Sequence, residues 1–249
     1  MNEEHAEYGE WPMVNGEHSK PGTPRLELRT SYRMEEFMKK PIVFAAVATL
    51  FLLSLHLGLV PFIHAQNAPV GNATNAVGTL TIVRTDGVQQ RLQGKGNVPL
   101  FEGDVIQTDG SSQALIEFSE GIQVALNEST SFKLLSRWEK DKPTTRILRL
   151  KQGEVWAKTS GGPKHFEVET PVATAAVKET EFNLKVQDDG QSILTVIQGV
   201  VTFGTAFGTC PIRTDTISYG VRGKKCTKPA ATDAKAAIAW TDAVRTAGK

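Results

Sequence analysis

The chain reads as an all-β protein, a curled sandwich or barrel or a short solenoid of strands. Three observations predict it. Apolar and polar residues alternate over short runs, as in Phe166–Val168 and Phe182–Leu184–Val186, the period of a strand with one buried face. Turn pairs recur at short, even intervals between those runs: Asp86-Gly87, Asp109-Gly110, Glu120-Gly121, Gln152-Gly153 and Asp189-Gly190. Helical periodicity is sparse between residues 77 and 205.

In chain order, the first alternating run is Thr79 to Arg84, closed by the tight turn at Asp86-Gly87. Gly94-Lys95-Gly96 reads as a strand-to-strand loop. Strands are then predicted at Asp104–Thr108, Gln113–Phe118, Ile122–Leu126 and Ser131–Leu135. Arg146–Leu150 and Glu154–Thr159 come next, joined at Gln152-Gly153, and Gly161-Gly162-Pro163 is a loop. Glu181–Gln187 and Ser192–Ile197 form a hairpin about Asp189-Gly190. Gly103, Gly153 and Gly199 each open a similar strand start, so either stacked layers repeat or glycine simply precedes strands in turns. The basic run from Arg137 to Lys151 is interrupted by Glu139 and Asp141, and it reads as a solvated hairpin with positive edge residues.

The N-terminal third is different. Residues 1–37 are polar, rich in Pro and Gly, and aperiodic, which reads as disorder or as an extension from a misassigned start codon ahead of Met38. Ile42 to Ile63 is apolar apart from Thr49, Ser54 and His56, with Lys39 and Lys40 before it. A hydrophobic helix of that length spans a bilayer, and its positive N-terminal flank sends the C-terminal bulk of the chain outward. Residues 38–65 are therefore either a signal peptide cut after Ala65 or a single-pass anchor. Residues 66–76 are small and polar and read as a linker to a β-domain over 77–205.

Residues 206–249 form a distinct tail. Cys210 and Cys226 are the only cysteines, flank a strand near Thr214–Tyr219, and in a translocated chain imply a disulfide. Thr232 or Asp233 caps a helix to about Val244, anchored by Ile238 and Trp240.

Composition excludes several functions. A net charge of +1 offers no basic stripe for nucleic acid. His165 stands alone after residue 65, so a Ser-His-Asp base or a tetrahedral zinc site lacks its partners. No glycine-rich loop opens a helix to hold phosphate. Asp188-Asp189-Gly190 supplies too few oxygens for calcium. Glu167 and Glu169 share a strand face at a glycosidase-like spacing, but that is also the solvent face opposite Phe166 and Val168. We expect no catalytic residue, no cofactor and no metal.

The motifs Gly153-Glu154-Val155, Thr170-Pro171-Val172-Ala173, Glu179-Thr180-Glu181-Phe182 and Gly199-Val200-Val201 come in a characteristic order. They resemble the FecR domain, named for periplasmic ferric-citrate sensor-regulator proteins, over about residues 78–203. Gly153, Glu154, Val155, Thr170, Pro171, Thr180, Phe182, Gly199 and Val201 are its structural positions. Glu179 stands where the family usually has glycine; if that glycine served a positive φ, the local turn differs here. The resemblance implies an exported interaction module in the periplasm or envelope that relays a signal between an outer-membrane receptor and a sigma factor. Residues 1–40 lack an amphipathic period, and Pro12, Pro21, Gly22 and Pro24 argue against a sigma-binding helix bundle. The alternative is a stand-alone envelope protein that binds a cell-surface polymer or another envelope component through aromatics such as Trp138 and Trp156.

Overall fold

The computed structural model describes residues 68–246 apart from Lys142 and residues 161–164. The apolar segment at 42–63, the extension at 1–37 and the Gly161-Gly162-Pro163 loop lie outside the described residues. No helix among the described residues is long and apolar enough to cross a membrane.

Two long strands organise everything else: β1 (Gly71–Val83) and β7 (Thr145–Thr159). Between them lie β2 (Gln89–Leu100), β3 (Val105–Thr108), β4 (Gln113–Phe118), β5 (Ile122–Leu126) and β6 (Ser131–Arg137). The first half of β1 pairs with β4, and its second half with β3. β4 continues to β5 and then to the second half of β7, while β3 continues to β6 and then to the first half of β7. The circuit β1-β4-β5-β7-β6-β3 closes on itself, giving a six-stranded barrel with β2 laid against the outer edge of β1. Closure removes the edges that short strands would otherwise expose.

Beyond the barrel, β7 feeds two wings. Its first half pairs in parallel with β8 (Phe166–Glu169), followed by β9 (Ala173–Val177), β12 (Val200–Thr205) and β13 (Gly208–Arg213). Its second half pairs with β10 (Glu181–Val186), followed by β11 (Ser192–Gln198), β14 (Thr216–Gly220) and β15 (Ala230–Ala231). The wings face each other: a Cβ on Gly220 of β14 would stand 3.1 Å from the Phe203 ring of β12. One continuous core fills barrel and wings, from Leu80, Ile106 and Phe132 to Phe166, Phe182 and Phe203. Burying such a core supplies most of the folding free energy, at about 25 cal/mol per Å² of apolar surface.

The predicted strands are present, and the two glycine-joined pieces of β7 are one strand with a switch of partners at Gly153. Gly103, Gly153 and Gly199 share a φ of 92°, 91° and 90°. They sit before β3, inside β7 and before β12, so the resemblance among them is a common turn device and no solenoid layer repeats.

Several expectations need correction. Residues 71–76 of the expected linker are strand, paired on both edges by β2 and β4. Their small side chains reflect crowding: a Cβ on Gly71 would come within 2.6 Å of the Glu117 carbonyl oxygen. Gly94-Lys95-Gly96 lies inside β2, where irregular register with β1 absorbs the glycines. In the basic run β8 pairs along β7 as far as Arg149, leaving only Leu150 to Gln152 as open edge. Arg146 is buried and donates to Glu120 Oε1 at 2.6 Å and to Ser136 Oγ, because β8 covers that side of β7.

In the tail, Cys210 and Cys226 are bonded, with Cα atoms 6.2 Å apart, tying β13 to the segment after β14. The expected short C-terminal helix is present, as a 3₁₀ helix (Ala236–Thr241) followed by one α turn, α1 (Asp242–Thr246). Asp233 does serve its entry, accepting the backbone N–H groups of Lys235 and Ala236 at 3.1 Å each. A chain lying flat across a sheet keeps contact better in the tighter 3₁₀ form than in a regular helix.

Candidate interaction surface

Where β7 changes partners, its outer edge is left open. β8 pairs as far as Arg149 with Glu169, and β10 begins with Gly153 opposite Val186. Leu150, Lys151 and Gln152 therefore have no strand partner on that side. Gly153 makes the switch possible: its φ of 91° suits glycine, and any Cβ would run into Thr130. Pro171 stands opposite the gap, at the end of β8, and cannot donate a hydrogen bond to fill it. Thr170 fixes that corner. Its Oγ1 accepts Ala173 N–H at 2.9 Å and is bonded to Ser192 Oγ at 2.7 Å.

Two clefts flank Lys151 and Pro171. One, of about 500 Å³, is bordered by Val105, Gln107, Lys133, Arg149 and Glu169; the other, of about 530 Å³, by Glu128, Lys185 and Asp188. Together they form a trough. Arg149 Nε is 3.0 Å from Glu169 Oε2, and Arg137 reaches Glu167 and Glu169 at 3.1 and 3.4 Å. Lys185 is 3.6 Å from Glu154. Lys133 and Lys151 join no ion pair among the described residues, so the trough keeps two cations available to an acidic partner.

The family-like positions turn out to be the supports of this surface. Glu154 accepts Asn127 Nδ2 at 3.0 Å and Asn183 Nδ2 at 2.8 Å, locking β7 to a loop and to β10. Val155, Phe182 and Val201 are core residues, with Phe182 and Phe166 ring centroids 6.4 Å apart. Thr180 N–H donates to Thr159 Oγ1 at 2.8 Å, starting β10 against β7. Gly199 packs against the Glu179 carbonyl, 2.9 Å from where its Cβ would be. Glu179 itself has a φ of 48°. The glycine-type turn is therefore kept by a glutamate, contrary to the expectation of a different local turn.

The two aromatics separate. Trp138, in the β6–β7 connection, is 74% exposed and available for contact. Trp156 is fully buried, which corrects its expected role as a contact aromatic: its indole N–H donates to Glu181 Oε1 at 3.0 Å beneath the C-terminal segment. His165 lines a separate cleft of about 390 Å³ with Glu167, Lys178 and Val200. Glu167 and Glu169 are engaged by arginines on the solvent face, an arrangement for holding strands together. Among the described residues no three His, Cys, Asp or Glu side chains converge as a metal site. Sequence reasoning missed Asn75 and Asn183, and read Glu181 only as part of a motif. Each looks like an ordinary outward polar residue in its strand, yet each is buried, and Asn75 is bonded to the C-terminal segment.

Residues 104–202, which hold the trough, the β7 switch and both wings as far as β12, match the family model described as FecR protein. Over this stretch the chain is similar to that family. The FecR match begins at Asp104, so β1 and β2 precede it and the disulfide-closed tail lies beyond it. Two crystal structures of a candidate anti-sigma factor from Parabacteroides distasonis ATCC 8503 are similar to the chain at 20% identity, with TM-scores of 0.45 and 0.46. The match covers 55% of this chain and 64% of theirs, so it spans less than two thirds of those proteins. No curated protein matches the chain.

Proposed function

We propose that this protein is an exported, non-catalytic interaction module whose FecR domain relays an envelope signal by protein contact. The observation that carries the proposal is the trough at the β7 switch. It is an open strand edge between two clefts, with Lys133 and Lys151 in no ion pair among the described residues, set within the FecR-matching residues. An open edge flanked by pockets suits an extended partner segment, since main-chain bonds give affinity and side-chain pockets give selectivity. The Cys210–Cys226 disulfide suits an oxidising compartment. Residues 42–63 would deliver the domain there, as a cleaved signal or as an anchor.

A photo-crosslinker at Gln107, on the trough wall, should capture an envelope protein in the native host. Lys133→Glu with Lys151→Glu should abolish capture while leaving the melting temperature unchanged. Undiminished capture by the charge-reversed variant would remove the trough from the mechanism. Envelope fractionation with N-terminal sequencing separates the two modes of delivery. A mature protein beginning at Gln66 rules out direct contact with a cytoplasmic sigma factor.

The exposed Trp138 favours one second reading, a stand-alone envelope protein that stacks on a cell-surface polymer. In that case Trp138→Ala, and no trough variant, would release the protein from purified envelope polymer.

A further inference from the structure

The sheet face opposite the main core carries a second, small core. It consists of Leu115 of β4, Ala125 of β5, Trp156 of β7 and Val244 of the tail, with Ile238 and Trp240 packed against it. The residues from Ala234 to Thr246 thus run as a strap over β7, β5 and β4. At its far end Asn75 Nδ2 of β1 donates to the Val244 carbonyl at 2.9 Å. Arg245 lays its guanidinium over the Trp156 ring, 4.5 Å from the centroid.

Two features distinguish this from ordinary core. The sheet itself satisfies several polar groups of this face: Trp156 bonds Glu181, Glu181 pairs with Lys158 at 3.0 Å, and Glu154 holds Asn183, while Asn75 bonds the strap. The strap, in contrast, fits imperfectly. Trp240 Nε1 is buried with no hydrogen-bond partner, and so is Oδ1 of Asn183, which stands opposite Trp156 on the same sheet face. The strap's own structure is a 3₁₀ turn without a side-chain bond at its N-cap position and a single α turn, little of which would persist on its own.

We propose that this face is a peptide-docking groove and that the strap is its removable occupant in cis. The groove takes a partner segment of the strap's own chemistry: an aliphatic residue, an aromatic two positions on, and an arginine five positions beyond that to stack on Trp156, as Ile238, Trp240 and Arg245 do. A partner that also donates to Asn183 Oδ1 would outcompete the strap. The proposal concerns a different face from the trough and holds whether or not the trough binds anything.

The probe is a labelled peptide of residues 232–249, titrated against the intact chain and against a chain ending at Ala231. The shortened chain should bind at least about ten-fold more tightly, because the strap competes in the intact protein. Trp156→Phe in the shortened chain keeps the fold but loses the indole hydrogen bond, and Arg245→Glu in the peptide loses the stacking; each should weaken binding several-fold. Should the shortened chain unfold, a protease site placed between Thr232 and Asp233 gives a nicked, intact assembly. Excess labelled peptide should then displace the strap on a timescale of minutes or faster. A folded shortened chain that ignores the peptide, or a nicked strap that never exchanges, overturns the proposal and makes the strap permanent core.

Discussion

Glu179 is the most testable single residue. Its φ of 48° places a side chain in the left-handed region at the turn before β10, where a Cβ costs roughly 1–2 kcal/mol. Glu179→Gly relieves that strain but frees the unfolded chain, so a net gain of about 0.5–1 kcal/mol is expected in urea titrations. Gly153 is the converse. Gly153→Ala adds a Cβ at φ 91° against Thr130 and should cost roughly 3 kcal/mol, or prevent soluble expression. Asp109 provides a pH prediction. Ser112 Oγ donates to its carboxylate at 2.5 Å and Ser111 N–H at 3.1 Å, which hold its pKa below the usual carboxylate value. A depressed native pKa contributes stability above the unfolded value and loses it as pH falls through the folded one. Ser112→Ala should therefore raise the Asp109 midpoint toward normal in an NMR titration, and an unmoved midpoint would discount that bond.

At the scale of elements, β7 carries the most connections. It is 15 residues long and pairs with β5, β6, β8 and β10, so it belongs to the barrel and to both wings. Its sequence reads as two short strands because the change of partner at Gly153 breaks the alternation. The disulfide acts on the tail hairpin. Cys210 and Cys226 are 16 positions apart, and losing a cross-link over such a loop costs about 3 kcal/mol in the chain-entropy model. Replacing both by Ser should lower the denaturation midpoint accordingly, and reductant should do the same to the native protein while leaving the variant unaffected. The strap was legible only as a helix with two anchors. Its crossing of β7, β5 and β4 depends on contacts between residues far apart in the chain, such as Asn75 with Val244.

For the whole molecule, closure of the barrel is the decisive event. It requires β1, whose first half supplies the pairing for β4 and whose second half supplies that for β3. A chain beginning at Val77 keeps every residue of the expected β-domain yet lacks the first half of β1. It should lose cooperative unfolding, whereas a chain beginning at Ala68 should retain a single sharp transition by circular dichroism. Equal behaviour of the two chains would show that residues 71–76 act as a linker after all. The FecR match begins within this barrel at Asp104, so folding of the matched stretch depends on strands outside it.

Alternation and turn chemistry are local, and for that reason the amino-acid order alone determined most of the strands, their hairpin turns, the paired cysteines and the resemblance to FecR, but not the strand at 71–76 or the one through Gly94. Phe166, Val168, Phe182 and Leu184 all point inward as their period-two pattern requires. Only the tertiary structure decided that β1 and β7 are each shared by two sets of neighbours, that the barrel closes, and that Trp156 lies under a strap while Trp138 stays in solvent. A strand's pattern states which face is buried, but the identity of its neighbours depends on pairings far apart in the chain. Those pairings are selected by the fit of all fifteen strands together.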